Sequence, residues 1–366
     1  MDKELLGKRI ADARELAGMT QAELGAAVAL DRTAISRLEK GERKLNVTEL
    51  VSIAQAVERP LAFFMAEPVA AVVSRRRDQA LAHETTRLLD VELQQFATDV
   101  RTLLTMGLLN GAERSARVPR THEEAEGAAA RCRDQLELGS DPIEDLGAAC
   151  EQLGLFTYGA PLGPDQADGG CVEVETETAI VGAAVINGDA PAGRRRMTLA
   201  HELGHWLFGD AYDSASSMDS ERMINSFAIH LLAPRAGVDR VWQEHSAWPL
   251  RDRALATGAH FRVSWSANVA QLRNLDLISY REYDTLRAAE PRRGDFLRLG
   301  VRFVHELSQP YLSPRFTAAV MDAYATGRLT ADRALEFTRG MLDVDDLPEQ
   351  IATMDDLRSA FAGHDG

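Results

Sequence analysis

The sequence predicts an α+β protein that is mainly α-helical, with a small β-sheet in its middle. Apolar residues recur at helical spacing through residues 8–57, and helical patterns return after residue 192. Between them, short alternating or apolar runs at residues 155–187 are typical of strands. We therefore expect an all-α N-terminal domain, a central domain that contains the sheet, and a helical C-terminal region.

The size and composition are those of an intracellular globular protein. The chain has 366 residues, enough for two or three domains, and 45% of them are hydrophobic. No apolar run approaches the roughly 20 residues that span a bilayer, and the N-terminus lacks the pattern of a signal peptide. The three cysteines are too few and too separated for a disulfide framework or a cysteine-rich zinc module. We expect a soluble, cytoplasmic protein.

The distribution of charge indicates where DNA could bind. The net charge of −15 argues against attraction of nucleic acid to the whole surface. Residues 1–67, however, contain ten Lys and Arg against eleven Asp and Glu, and residues 31–44 contain five basic against three acidic residues. Any contact with DNA is therefore expected in the N-terminal region.

The N-terminal region has the pattern of four or five short helices. Thr20 and Glu23 form a predicted capping box at the start of the second helix, and Asp31 is placed to cap the third. The apolar positions with helical spacing are Ile10, Ala13, Leu16, Leu24, Val28, Ile35, Leu38, Leu50, Ile53, Ala54 and Val57. Short connections between such helices are typical of a small helical domain.

These residues resemble the helix-turn-helix domain of phage-repressor-like regulators, the XRE family. The resemblance rests on the pattern T-Q-x-x-L followed by S-R-x-E-x-G, and it implies a DNA-binding domain over residues 1–67 with a recognition helix at 32–39. The residues implied to face the major groove are Arg32, Thr33, Ser36 and Arg37. Those implied to touch phosphates are Gln21, Lys40, Arg43 and Lys44. The alternatives are a solvated helical face or a module that binds protein.

Residues 68–118 are predicted to be a helical connector. An apolar seam with alternating spacings of four and three residues consists of Leu89, Leu93, Phe96, Val100 and Leu103. Such a seam could pair two chains in a homodimer that reads two half-sites. Packing within one chain explains the same pattern equally well.

The central region is predicted to alternate helices with a small sheet. Helices are expected at residues 122–138 and from Asp141-Pro142 to about Gly154, and the segments LFTYG, CVEVETE and TAIVGAAVIN are expected as strands. A further helix follows at 193–208 and stops at Gly209. Its first turn holds Arg194 to Arg196, against the preference of the helix dipole, which indicates acidic neighbours.

That helix carries the segment HELGH, which is typical of a zinc site. His201 and His205 lie four residues apart, so both imidazoles project from one face and can reach one ion. Glu202 is placed to act as general base on a metal-activated water, the arrangement that marks metal-dependent peptide hydrolysis. An accidental match in an amphipathic helix is the alternative.

A catalytic zinc site needs a third protein ligand. The candidates downstream are Asp210, Asp213, Asp219, Glu221 and His230. The metzincin continuation is excluded, because Phe208 and Ala211 stand where it requires glycine and histidine. A carboxylate on the next predicted helix, residues 218–232, is the better choice, and His230 lies too far round that helix to share its face with Glu221.

Here the sequence resembles the ImmA/IrrE-type metallopeptidases. Their pattern places E-x-x-A-N-x-F-A-x-x-L-L-x-P after H-E-x-x-H, and this chain has ERMINSFAIHLLAP, with Ile224 in place of the small alanine. The resemblance implies a zincin-like domain, assigned to residues 119–290, in which Glu221 is the third zinc ligand and Glu202 the catalytic residue. Asp219 is the alternative ligand.

The two resemblances together predict the function. We expect a DNA-binding transcription regulator with a zinc endopeptidase that cleaves a specific protein, such as a repressor, in stress or mobile-element control, conditionally on a signal. The alternative is a transcription factor whose peptidase-like domain only senses a ligand or partner. Residues 291–366 form a predicted helical C-terminal region without a catalytic pattern, and they either sense a partner or complete the core.

Overall fold

The computed structural model divides the chain into two units, Met1–Ala70 and Ala71–Gly366. It describes residues 3–57, 59, 61–65, 87–112, 114, 117–164, 166–209, 218–300 and 306–351. None of the helices in these ranges is long and apolar enough to cross a membrane. The finer domain boundaries predicted within the second unit stay predictions.

Five helices make up the described part of the first unit. They are α1 (Lys3–Leu16), α2 (Gln21–Ala27), α3 (Arg32–Glu39), α4 (Val47–Ala56) and α5 (Leu61–Met65). The predicted capping box is present, since the Glu23 N–H donates to Thr20 Oγ1 at 3.2 Å and the Thr20 N–H donates to the Glu23 carboxylate at 2.7 Å. Asp31 caps α3 by accepting the Ala34 N–H at 2.7 Å. These caps satisfy N–H groups that a helix start leaves without partners.

A buried ion pair holds α1, α2 and α3 together. Arg14 Nε lies 2.5 Å from Glu39 Oε1, and both side chains are less than 10% exposed. The Gln21 amide donates to the same carboxylate at 2.7 Å. The apolar core of this unit includes Ile10, Leu24, Ile35, Ile53 and Phe64. Glu39, the last residue of α3, is thereby fixed to both preceding helices, which orients the opposite face of α3.

The second unit combines helices with one small sheet, as predicted for a mainly helical α+β protein. Its described helices are α6 (Arg87–Thr105), α7 (His122–Gln135), α8 (Leu146–Gln152), α9 (Ala192–Phe208), α10 (Met218–Leu232), α11 (Arg235–Glu244), α12 (Leu250–His260), α13 (Trp265–Asn274), α14 (Tyr280–Arg287), α15 (Arg293–Arg298), α16 (Pro314–Ala325) and α17 (Ala331–Thr338). Its strands are β1 (Leu155–Ala160), β2 (Gly169–Glu175), β3 (Ile180–Asn187) and β4 (Tyr311–Leu312).

The sheet has the strand order β2-β3-β1-β4. β1 runs parallel to β3, and β2 runs antiparallel to β3, with Cys171 opposite Ala184. The short strand β4, which was not predicted, pairs antiparallel with β1 through Tyr158 and Leu312. The three predicted strands therefore form one sheet, and a segment from the C-terminal region extends it.

Helices α9 and α6 cover opposite faces of this sheet. Side chains alternate between the two faces of a strand. Leu155 of β1 belongs to the same buried cluster as residues of α9. Gly182, the residue of β3 that pairs with Leu155, lies against Trp206 of α9. Tyr158, three positions along β1, instead packs against Phe96 of α6 with ring centroids 5.9 Å apart. The sheet is thus buried on both sides, and α9 rests on it as a rigid support.

The apolar seam of the connector packs within the chain. Leu89, Leu93, Phe96, Val100 and Leu103 are all at most 1% exposed in the second unit. A seam buried in this way is not available to pair two chains. The pattern that suggested a homodimer is therefore explained by intramolecular packing, and the part of the connector before Arg87 lies outside the described residues.

The C-terminal region completes the core of the second unit. The ring of Phe316 on α16 packs against that of Phe96 on α6, with centroids 5.2 Å apart. Asp99 of α6 is almost fully buried and accepts from Arg339 at 2.6 Å and from Arg333 at 3.3 Å. These contacts attach α16, α17 and the turn after α17 to the helix that covers the sheet.

The helix predicted to begin at Asp141-Pro142 begins later, at α8. Its N-cap is Asp145, whose side chain accepts the Ala148 N–H at 2.9 Å. The preceding segment is not helical, because its carbonyl groups accept hydrogen bonds from three arginines of other elements instead of forming a first helical turn. The carbonyls of Asp141, Ile143 and Glu144 accept from Arg133, Arg196 and Arg262, respectively.

Candidate metal centre and nucleic-acid interface

The two histidines of HELGH project from one face of α9. The helix has nearly the predicted bounds, and Gly209 ends it in the left-handed conformation with φ of 67°. His201 Nε2 and His205 Nε2 lie 3.0 Å apart, and both residues are buried. At this distance the two nitrogens either share one proton or direct two lone pairs at one ion.

Glu221 brings a carboxylate from α10 to the same point. Its Oε2 lies 3.4 Å from His201 Nε2, and its Oε1 lies 3.5 Å from His205 Nε2. With bonds of about 2.0–2.1 Å, the ligand atoms of a tetrahedral zinc site are about 3.3 Å apart. The three separations, together with a donor set of two imidazoles and one carboxylate, fit zinc and leave a fourth position for water or substrate.

The other candidates for the third ligand are not brought to this point. The side chain of Asp219 is 87% exposed and lies 3.6 Å from Arg222. His230 is buried elsewhere, with Nδ1 3.1 Å from the Gln271 amide nitrogen. Asp210 and Asp213 lie outside the described residues. Within the described ranges, His201, His205 and Glu221 are the one group of three that could hold a metal ion.

Burial determines the protonation state of His205 and the side from which solvent reaches the centre. It lowers the pKa of His205 to about 4, so this imidazole is neutral at physiological pH, the form that binds a metal. His201 and Glu202 are fully buried, whereas the side chain of Glu221 is 32% exposed. The centre is therefore open to solvent on the side of Glu221.

A glycine between the two histidines lets α10 approach α9 closely. A Cβ atom at Gly204 would lie 2.9 Å from Ile224 Cγ2 and 3.1 Å from Phe227 Cδ1. Larger residues at this position would push the helices apart and withdraw Glu221 from the histidines. Ile224, which stands where the family pattern has alanine, is fully buried in this contact with Gly204.

Two of the three arginines in the first turn of α9 have acidic partners, as predicted. Arg194 Nε lies 2.5 Å from Asp168 Oδ1, and Arg196 Nη1 lies 2.5 Å from Glu306 Oε1. Arg195 instead donates to backbone carbonyls, including that of Glu306 at 2.9 Å. Charges that oppose the dipole of α9 are thereby compensated, and the metal helix is tied to the C-terminal region.

The first unit presents most of its predicted DNA-binding residues to solvent. Ile35 and Leu38 are buried on the inner face of α3, so the outer face carries the residues predicted for the groove. The exposed members of the predicted set are Arg32, Thr33, Arg37, Lys40 and Lys44, and Ser36 is half-buried.

Two members of the predicted set bind carboxylates within the chain. The Gln21 amide donates to Glu39, and Arg43 contacts both oxygens of Glu49 at 2.7 and 3.2 Å. Contacts of these two side chains with phosphates would compete with internal partners.

Comparison with known families agrees with this division of the chain. Residues 10–64 match the family model described as Helix-turn-helix, and residues 150–272 match the one described as IrrE N-terminal-like domain. The chain is a fusion of these two domains. The IrrE-like match includes the three strands β1 to β3, α9 and α10, and therefore the whole candidate metal centre.

Other comparisons add little. No curated protein matches the chain. Among solved structures, the crystal structure of ComR from Streptococcus suis matches over 92% of this chain and 94% of its own length, with 12% identity and a TM-score of 0.17. A likeness this weak supports no argument. The family matches alone establish a DNA-binding domain joined to a metallopeptidase-like domain.

Replacing Arg37 in the helix-turn-helix domain is expected to weaken DNA binding. Arg37 is exposed on the outer face of α3, and a lost base contact costs about 1–3 kcal/mol. We expect Arg37→Ala in the full chain to bind a sequence selected from random duplex DNA roughly ten- to a hundredfold more weakly. Arg120→Ala, which removes an exposed arginine from the second unit, is the matched control. Equal affinities for the wild type and Arg37→Ala would contradict this assignment.

Two residues of the IrrE-like region and its surroundings escaped the sequence analysis. Asn225 contacts His201, and Glu306 contacts Arg196 on the metal helix. Asn225 is the asparagine of the E-x-x-A-N-x-F-A pattern of the ImmA/IrrE-type metallopeptidases, but the pattern alone does not indicate what this asparagine does. Glu306 is 110 residues from its partner, and no local pattern connects the two.

Proposed function

We propose that the protein is a DNA-binding regulator whose second unit is a zinc-dependent endopeptidase that cleaves a specific regulatory protein, such as a repressor. The observation that carries this proposal is the convergence of His201, His205 and Glu221, whose ligand atoms all lie within 4.8 Å of one another. Glu202 on the same helix supplies a carboxylate that can act as general base, which distinguishes a hydrolytic metal centre from a metal-storage site.

In this proposal His201, His205 and Glu221 bind the metal, and Glu202 transfers a proton. A zinc ion held by the two histidines and Glu221 would supply a Lewis acid that polarises a peptide carbonyl and acidifies water. His201 and His205 present their Nε2 atoms from a helix that is buried against the sheet, so their positions are set before any ligand binds. The substrate would approach from the exposed side, at Glu221.

Glu202 is the proposed catalytic residue. Its carboxylate accepts the proton of the attacking water and returns it to the leaving amine. The rest of Glu202 is held firmly, since the residue is fully buried on α9 and its carbonyl accepts from Cys171 Sγ of β2 at 3.6 Å. A base held in one place needs little reorganisation during the reaction.

The helix-turn-helix domain would bring this centre to a particular operator. Exposed arginines on α3 and lysines after it suit groove and phosphate contacts, whereas the overall charge of −15 disfavours general binding to nucleic acid. We propose that cleavage of the partner protein relieves or imposes repression at the genes to which this domain binds.

Removal of the third ligand tests the metal assignment. We expect Glu221→Ala in the full chain to bind zinc at least tenfold more weakly, because an open site with two protein ligands loses one of three anchors. Asp219→Ala is the matched control on the same helix, since its carboxylate is exposed and is not one of the three groups that converge on the metal position. Zinc affinity is measured by competition with a chromogenic chelator. Equal loss in both variants, or in neither, would contradict the assignment of Glu221.

Zinc binding and peptide cleavage are separate outcomes. A wild-type protein that binds one zinc ion at these residues yet cleaves no protein of its own cell would favour the sensing alternative. A protein that binds no zinc would exclude both the proposed mechanism and a metal-dependent sensor.

A further inference from the structure

We infer that Asn225 is a positioning residue of the metal centre, which holds His201 in the tautomer that directs a bare Nε2 at the metal and joins this histidine to the turn of α10 that carries Glu221. The inference rests on the proposed metal centre. It concerns a side chain that is not itself a ligand and that acts through two ligands on different helices.

The orientation of the Asn225 amide follows from a contact within α10. Its Nδ2 donates to the backbone carbonyl of Glu221 at 2.8 Å. A carbonyl can only accept, so the nitrogen of the amide must face Glu221 and the oxygen must face the other way. That oxygen, Oδ1, lies 3.2 Å from His201 Nδ1.

The amide orientation determines the tautomer of His201. Because Oδ1 can only accept, His201 Nδ1 must carry the proton of this hydrogen bond. In a neutral imidazole, Nε2 then holds a free lone pair. This is the nitrogen that lies 3.0 Å from His205 Nε2 and 3.4 Å from Glu221 Oε2. The lone pair therefore points at the position where the three ligand atoms converge.

The two histidines of the centre are supported unequally. His205 Nδ1 is buried and has no hydrogen-bond partner among the described residues. The orientation of the pair therefore depends on the support of His201. Polar partners of metal-binding histidines typically change metal affinity by about 10- to 100-fold when they are removed.

The contact also couples the two helices of the site. His201 lies on α9 and Glu221 on α10, and Asn225 is hydrogen-bonded to both residues. Its side chain is half-buried, and the preceding residue, Ile224, makes the close contact with Gly204 of α9. The neighbouring Ser226 is buried on the same helix, but its hydroxyl has no hydrogen-bond partner in the described part of the chain. Ser226 therefore provides a matched control.

The test uses the full chain and needs no substrate. Asn225→Leu keeps the size of the side chain but removes the acceptor, Asn225→Asp keeps an acceptor, and Ser226→Ala removes an unused hydroxyl. Zinc affinity is measured by chelator competition. We expect Asn225→Leu to bind zinc about 10- to 100-fold more weakly than the wild type. Ser226→Ala and Asn225→Asp should bind zinc no more than about threefold more weakly than the wild type.

A second readout reports the tautomer directly. Long-range proton–nitrogen NMR spectra of metal-free protein labelled with ¹⁵N-histidine distinguish a protonated Nδ1 from a protonated Nε2. We expect His201 to be protonated at Nδ1 in the wild type and in Asn225→Asp, and to lose this single tautomer in Asn225→Leu. A change in general stability would not produce this pattern.

The inference is overturned if Asn225→Leu binds zinc like Ser226→Ala and His201 keeps the same tautomer. If Asn225→Leu does not fold, Asn225→Ala compared with Asn225→Asp decides the same point. If the wild type binds no zinc, the proposed function fails, and the tautomer of His201 in the metal-free variants still decides whether Asn225 orients it.

Discussion

Replacing Glu202 with glutamine is expected to reduce cleavage of the protein substrate by about 10²–10⁴-fold, because an amide cannot accept the proton of the attacking water. Glutamine has nearly the same shape as glutamate, so the helix should be undisturbed. Zinc should still bind, because Glu202 is not among the three side chains that converge on the metal position. The variant would therefore separate metal binding from chemistry.

The measurement compares new protein N-termini in a lysate of the source cell after addition of zinc-loaded wild type or Glu202→Gln. Asp219→Asn is the matched control, since it makes the same chemical change in an exposed carboxylate close to the centre in sequence. Zinc content is measured on the same samples. Cleavage products that persist with Glu202→Gln would show that another group, or a contaminating protease, performs the hydrolysis.

The elements that carry the function were predicted from local signals. α10 has the predicted bounds and α9 begins one residue early, because the apolar periodicity and the residues that stop each helix agree. α3 has the bounds that the family resemblance implies, and Asp31 caps it as predicted. Gly209 stops α9, and Pro234 follows the end of α10. The convergence of His201, His205 and Glu221 was likewise expected, although the choice of Glu221 over Asp219 depended on a family resemblance.

Features that depend on remote contacts were not predictable. β4 has two residues, too few for an alternating pattern, and it exists because β1 offers it an edge. Both Asp141 and Asp145 carry the local signals of a helix start, and arginines from other elements decide between them. The role of Asn225 requires the distance between α9 and α10, which no spacing within α10 contains.

The largest expected effect on stability comes from Glu306. Its carboxylate lies 2.5 Å from Arg196 Nη1, and the Arg196 side chain is fully buried in the first half of the metal helix. Removal of one partner of a buried ion pair leaves an uncompensated charge and costs about 3–5 kcal/mol. We therefore expect Glu306→Ala to lower the free energy of unfolding of the second unit by about this amount.

Glu144 provides a control that shares a partner with Glu306. Both carboxylates lie near Arg262, at 3.6 Å for Glu144 and 3.4 Å for Glu306. The side chain of Glu144 is 87% exposed, whereas that of Glu306 is 14% exposed. Because water screens exposed pairs, we expect Glu144→Ala to have little effect. Urea unfolding followed by tryptophan fluorescence is selective for the second unit, since all four tryptophans lie there.

The double variant Arg196→Met/Glu306→Leu identifies the cause of the loss. A buried pair replaced by apolar residues of similar size is often as stable as the original, so the double variant should recover most of the stability that Glu306→Ala loses. Failure to recover would mean that the geometry of the contact, rather than the unpaired charge, matters. In either case Arg196 lies on the helix of His201, so the C-terminal region and the metal centre are expected to lose order together when this pair is broken.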